Sequence, residues 1–203
     1  VAQLVVAADE AGVGVGSAVV LGSAVNQDGA SSSLTAPHGP SQARVLRQAL
    51  ANGGVLAAAV AKVELHGTGT ELGDPIELTA LRDALQLDWQ DGPRVLGLSA
   101  VKSAVGHAET AAGALGLLSA LEQGVARVFW PTLHLRQLNR HIANDLDMRA
   151  AKASSVAVAS RQLGGAAQAW TAACSGVSSF AFQGTNAHAV LEHAAALRRH
   201  APA

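Results

Sequence analysis

Val60-Ala61-Lys62-Val63-Glu64-Leu65-His66-Gly67-Thr68-Gly69-Thr70-Glu71-Leu72-Gly73-Asp74-Pro75-Ile76-Glu77 sets three kinds of structure end to end. Val60 to Leu65 reads as a short buried strand. His66 stands where that strand ends, and Gly67-Thr68-Gly69-Thr70 makes a tight turn of small residues that lets another chain approach the backbone. Asp74-Pro75 then opens a helix expected to run to about Leu87, burying Ile76, Ala80, Leu81, Ala84 and Leu85. Asp74 is placed to cap it, Pro75 suits the first helical position, and Glu77 completes a capping box.

The same alternation recurs on both sides. Upstream, Gly16 to Ala24 reads as a buried strand, Asn26 to Gly29 as a polar turn, and Pro40-Ser41 as the start of a helix to about Leu50. Downstream, Val95 to Val101 reads as a strand and Ala108 to Gln123 as an Ala/Gly-rich helix with Leu115, Leu118 and Leu121 as anchors. Beyond Arg127 the pattern weakens: Phe129 to Leu135 is expected to be extended, and Leu138 to Asp147 a loop or short helix. Val156 to Ser160, Val177 to Phe182 and Ala187 to Glu192 complete the strands, with Gly164 to Ala173 as a surface loop. Strands alternating with helices predict a layered α/β sheet.

Composition narrows the function. The chain has 203 residues, 49% hydrophobic but only 3% aromatic, so its core is built from Ala, Val and Leu. A formal net charge of −1, with no basic block, argues against nucleic acid or an anionic membrane as partner. One uncharged stretch, Ala11 to Gln27, is interrupted by Gly and Ser and too short to span a bilayer. A single cysteine, Cys174, excludes an internal disulfide framework. With no Asn-x-Ser/Thr acceptor and no basic-then-apolar leader, this points to a reducing, cytoplasmic setting, with a plastid left open.

The second histidine of interest is His107, in Lys102-Ser103-Ala104-Val105-Gly106-His107-Ala108-Glu109-Thr110-Ala111-Ala112-Gly113. At the entrance of the Ala108 helix, the positive end of the dipole disfavours an imidazolium. His66 and His107 therefore suit a pair of neutral N–H donors aimed at one developing negative oxygen. Other readings are weaker. The third glycine of Gly67-x-Gly69 falls one residue late for a dinucleotide turn. No metal-ligand spacing links His66, His107 and Asp74.

These two signatures, with Phe180-Ala181-Phe182-Gln183-Gly184-Thr185-Asn186-Ala187-His188, resemble the C-terminal half of a β-ketoacyl synthase. Gly22 to Gly29 and Leu34 to Gln42 resemble the multimodular polyketide synthase branch of that family. The resemblance runs from about Gly16 to Glu192. It implies a thiolase-like layered α/β/α fold and divides the chain into residues 1–25, a remnant ending in the last strand of the N-terminal half, residues 26–194, the C-terminal half, and a tail at 195–203.

The function implied is decarboxylative Claisen condensation of a malonyl unit with an acyl thioester, in polyketide or fatty acid synthesis. His66 and His107 would stabilise the enolate, and Lys102 with Glu109 would support them. Thr68 and Thr70 would hydrogen-bond phosphopantetheine, and Phe182 would lie on the oxyanion and gating loop. No cofactor or metal is expected to bind directly; substrates arrive on the phosphopantetheine of an acyl carrier protein. The nucleophilic cysteine belongs to an N-terminal half not found in this sequence, so that half is an expected partner, the intact domain an expected homodimer, and the isolated chain inactive. Ala173-Cys174-Ser175 echoes the nucleophile motif but follows both histidines, so Cys174 is read as an inert thiol. Ala181 replaces a common glycine, predicting a distorted loop, and Ala104 a common asparagine. Two rival readings remain: a homologue that only decarboxylates, and a non-catalytic remnant that binds a carrier protein.

Overall fold

The computed structural model describes residues 2–5, 17–29, 36–86, 96–126, 128–145, 156–158, 168–169 and 174–193. Its strands are β1 (Ala2–Val5), β2 (Ser17–Gln27), β3 (Val60–Glu64), β4 (Leu96–Ser99), β5 (Val128–Phe129), β6 (Val156–Val158), β7 (Gln168–Ala169), β8 (Cys174–Phe180) and β9 (Thr185–His193). Its helices are α1 (Gly39–Gly53), α2 (Gly73–Leu85), α3 (Lys102–Val105), α4 (Ala112–Ala126) and α5 (Arg140–Asp145).

Seven strands form one sheet in the order β1-β2-β9-β8-β3-β4-β6, and β5 pairs with β7 in a separate ladder. From β1 to β8 the neighbours are antiparallel; from β8 through β3 and β4 to β6 they are parallel. The expected division after residue 25 falls inside β2, which pairs with β9 from Ala18↔His193 to Gln27↔Thr185. The tail at 195–203 lies outside the described residues, as does most of the expected Gly164–Ala173 loop.

Helices α1 and α2 cover one side of the sheet. Val45, Leu46, Leu50, Leu78, Leu81 and Leu85 bury there against Val63, Leu98, Phe180 and Val190. The glycines at the crossing allow close contact: a Cβ on Gly22 in β2 would strike the backbone of Ala49 and Gly53 in α1. Helix α4 covers the other side, where Ala120 and Leu121 meet Ala18, Val177 and Leu191. Its inward glycines bring it close, with Gly113 against Ser179, Gly116 against Val177 and Glu64, and Gly124 against the His193 ring. The expected layering is therefore present, helices on both faces of a mixed sheet.

Several elements differ from expectation. Strand β2 runs on through Asn26 and Gln27, which were read as a turn; Asn26 donates to the Ser41 carbonyl at 2.8 Å, and Asn186 donates to Asn26 and Asp28, so strand and helix start are tied together. The extended segment from Phe129 stops at once, with Pro131 to Asn139 in turns and loop. Phe182 lies beyond β8, in the turn to β9. Ala181 is not in the left-handed region; Gly184 takes the positive φ of 87°, and the turn closes by Gly184 N–H donating to the Ala181 carbonyl at 2.9 Å. The loop is formed without distortion at the substituted position.

Candidate active site

His66 and His107 come together. Their ring centroids are 5.6 Å apart in an edge-to-face arrangement, and Phe180 lies 5.6 Å from His66 on another side. Three elements supply the site: the end of β3, the α3 turn after β4, and the end of β8.

The turn carrying His66 is braced by carboxylates. Glu77 accepts from the N–H of His66 at 2.7 Å and of Gly67 at 2.9 Å, and Asp74 accepts from the N–H of Gly69 at 3.1 Å. This corrects the capping-box expectation. The N-cap of α2 is Leu72, without a side-chain cap, because both acids reach across to the preceding turn instead. Burial pushes the Glu77 carboxyl up to about 7, against the opposing pull of the two N–H groups. Burial also raises Asp74 above the usual carboxylate range. Gly67 takes a φ of 47°, and a Cβ there would strike Ala100, so this position has room for glycine alone.

His66 is held neutral. Burial, then the Lys102 ammonium, then His107 push it down to about 4. Its Nδ1 is buried with no hydrogen-bond partner.

His107 sits elsewhere than expected. It follows α3 through Gly106 (φ 76°), and a 3-10 turn (Glu109–Ala111) separates it from α4. A dipole effect confined to the first turn of α4 therefore does not reach it directly. What orients the ring is Glu109, whose N–H donates to His107 Nδ1 at 3.0 Å. In the neutral ring that leaves the proton on Nε2. Glu109 adopts a left-handed φ of 47° in doing so, a conformation that costs about 1–3 kcal/mol for a non-glycine residue.

Lys102 is half-buried, and burial lowers its pKa while Glu77 and Glu64 oppose that shift. Those two carboxylates, not Glu109, are the ones whose field acts on it, and no Lys102–Glu109 ion pair occurs among the described residues. Thr68 and Thr70 are exposed, their hydroxyls 3.3 Å apart, and Thr70 Oγ1 also accepts from the Gly73 N–H at 3.0 Å. A cavity of about 370 Å³ opens beside this turn, lined by Thr68, Glu77, Lys102, Leu133, Leu138 and Ile142 among others. Phe182 is 78% exposed; Phe180, two residues earlier, is the aromatic that contacts a histidine. Cys174 is buried in β8, and burial with Glu192 pushes its thiol up to about 11, the environment of an inert thiol.

Four contributors escaped the sequence reading: Glu77, Asp74, Phe180 and Glu64. Only Glu77 and Asp74 leave a signal, as acids near the turn, and their spacing points to the helix start rather than to the turn they brace.

The profile of the family described as "Beta-ketoacyl synthase, C-terminal domain" matches residues 17–136. The chain belongs to the β-ketoacyl synthase family. Among relatives, it is 46% identical over 183 residues to Erythronolide synthase EryA2 of Saccharopolyspora erythraea, covering 88% of this chain and 5% of that protein. It is 44% identical over 179 residues to Mycoketide-CoA synthase of Mycobacterium tuberculosis, covering 86% of this chain and 4% of that one. Among solved structures, it resembles the oxazolomycin ketosynthase domain OzmH KS7 of Streptomyces albus JA3453 with a TM-score of 0.73 and 36% identity, over 86% of this chain and 29% of that chain. The ketosynthase from module 6 of the bacillaene synthase of Bacillus subtilis 168 gives 0.73 and 34%, over 87% and 30%. This ketosynthase segment thus spans a small part of its relatives, and its α/β layering is that of their thiolase-like domains. No helix among the described residues is long and apolar enough to cross a membrane.

Proposed function

We propose that this chain supplies the decarboxylating half of a polyketide ketosynthase. The observation that carries the reading is the pair of adjacent imidazoles: His66 held neutral, His107 oriented to present Nε2–H. When a malonyl thioester loses carbon dioxide, its electrons pass to the thioester carbonyl as an enolate. Two neutral donors placed beforehand stabilise that oxygen without reorganising. Lys102 supports the site by its charge, which adds to burial in keeping His66 from protonating. Glu109 contributes its N–H to His107 rather than its carboxylate to Lys102. Thr68 and Thr70, exposed on the turn, are placed to hydrogen-bond the phosphopantetheine arm of an acyl carrier protein, and Phe182 to gate the acyl end.

The condensation that follows needs a thioester on a nucleophile from the N-terminal half. Support for such a partner comes from α4, whose outward side exposes Leu118 at 52% and Val125 at 54%, one above the other two turns apart. Residues before β2 would then belong with that half in assembly, residues from 17 on, where β2 joins β9, forming the histidine half, and the whole domain pairing as a homodimer.

The test is reconstitution. The chain joined to a complementary N-terminal half should release carbon dioxide from malonyl carrier protein and extend an acyl chain. Replacing His66 or His107 by Ala should each lower decarboxylation about 10²–10³-fold. Decarboxylation without extension would point to the decarboxylase, and carrier binding without either would point to the non-catalytic remnant.

A further inference from the structure

Beneath α4 the sheet is polar where a dry core is the rule. Lys62 and Glu64, alternate residues of β3, point the same way, are both fully buried, and lie 3.5 Å apart from Nζ to Oε2. An ion pair of this kind is weak evidence for stability, since desolvation offsets most of the attraction. Its persistence in the core therefore calls for another reason.

The Glu64 carboxylate is a junction. Oε1 accepts from the Val101 N–H at 2.6 Å, and Oε2 accepts from the hydroxyls of Ser99 at 2.5 Å and Ser119 at 3.3 Å. Ser119 in turn accepts from Gln123, whose Oε1 receives the Trp130 N–H. One side chain thus ties together β3, the end of β4, the entry to α3 and the middle of α4.

Both histidines are short, stiff distances from that junction. On one side Glu64 leads through Leu65, whose N–H is bonded to the Ser99 carbonyl, to His66. On the other side Val101 starts an unbroken run: Ala104 and Val105 donate to its carbonyl, Gly106 donates to Lys102, and His107 follows. Little slack separates either ring from the shared carboxylate. We propose that Glu64 is a positioning residue, setting the distance between His66 and His107 by fastening the α3 entry to β3. Its importance for chemistry rests on the decarboxylation reading; its control of the ring geometry does not.

The competing explanation is that Glu64 only neutralises Lys62, and a paired substitution separates the two. Glu64→Ala strands a buried ammonium and can simply prevent folding. Lys62→Met with Glu64→Ala removes both charges and restores a foldable interior, while Val101 still lacks its acceptor. Lys62→Met with Glu64→Gln also removes both charges but keeps a side-chain oxygen for Val101. Two readouts are taken on the protein joined to its complementary half. One is the nuclear Overhauser contact between ring-labelled His66 and His107; the other is malonyl carrier protein decarboxylation, with kcat and KM separated.

The expected result is that Lys62→Met/Glu64→Ala melts cooperatively but loses the ring contact and about 10²-fold in kcat with KM little changed. Lys62→Met/Glu64→Gln should keep the contact and most of kcat. A Lys62→Met/Glu64→Ala variant that retains both ring contact and kcat would overturn the proposal. If the unsubstituted protein shows no decarboxylation, the functional reading fails, and the ring contact alone still decides the role of Glu64.

Discussion

The two faces of the sheet are built on opposite plans. Under α1 and α2, side chains of Val, Leu and Phe interlock into one apolar cluster, with Gln42, Glu77 and the Ser178–His188 pair as buried polar exceptions. Under α4, the apolar cluster is small and the space is shared by Lys62, Glu64, Ser119, Gln123, Ser175 and His193. Dispersion and burial do not prescribe which hydrogen bonds form, so an apolar face stabilises without fixing a geometry. A fully bonded polar layer adds less net stability and specifies positions closely. The lesson is a partial division of labour: the α1/α2 face holds the sheet together and, through Glu77, braces the His66 turn, while the polar face ties β3 to the α3 entry that leads to His107.

The sharpest way to break that contrast is to damage the apolar side. Leu81→Ala, at 1% exposure, should cost about 2–5 kcal/mol in denaturant unfolding while leaving the His66–His107 contact intact in the molecules that stay folded. A crowding substitution on the polar side should do less. In Gly124→Ala the new methyl would enter the His193 ring, at a cost of about 1–3 kcal/mol, read as a lower midpoint at unchanged slope.

Acid tests both faces together. His66, His188 and His193 are each pushed down to about 4, chiefly by burial, from an ordinary value of 6.5. Between those limits the unfolded chain binds more protons than the folded one, so stability is full above pH 6.5 and declines as pH falls toward 4. Glu77 acts in the opposite sense, since its carboxyl, raised to about 7, takes up a proton in the folded state first. Asp74, also raised by burial, acts with Glu77, but three histidines against two acids leave a net loss, and unfolding midpoints measured at pH 7, 6 and 5 should fall in that order. The smallest change in stability, within about 0.5 kcal/mol, is expected for Leu118→Glu with Val125→Glu, because both side chains are largely exposed. Their effect should appear instead as lost association with the complementary half, measured by co-purification.

The sequence disclosed the skeleton of this arrangement but not its fastenings. His66 at a strand end and His107 after the next strand were readable because a strand followed by a Gly-rich turn has few geometries. Strands β3, β4, β8 and β9 and helices α1, α2 and α4 were located within a few residues, since apolar spacing reports them directly. The role of Glu77 was not readable. Three residues after Asp74 it matches a capping box, and spacing nominates partners without revealing that the His66 and Gly67 N–H groups compete for the same oxygens. Phe180 was overlooked in favour of Phe182 because two residues in a strand share one side, and only the end of β8 decides which of them stays inside it. Lys62 gave no hint of burial, as a lone lysine between apolar neighbours normally reaches water.

The order of strands across the sheet has a consequence for biosynthesis. β9 and β8, the last of the described strands to leave the ribosome, lie third and fourth of seven, joining β1 and β2 on one side to β3, β4 and β6 on the other. Until residue 193 has emerged, the nascent polypeptide holds two strand groups with no seam between them, and closing that seam spans most of the chain. Translation that stops short of β8 would leave both groups with bare edges, ready to pair with other chains.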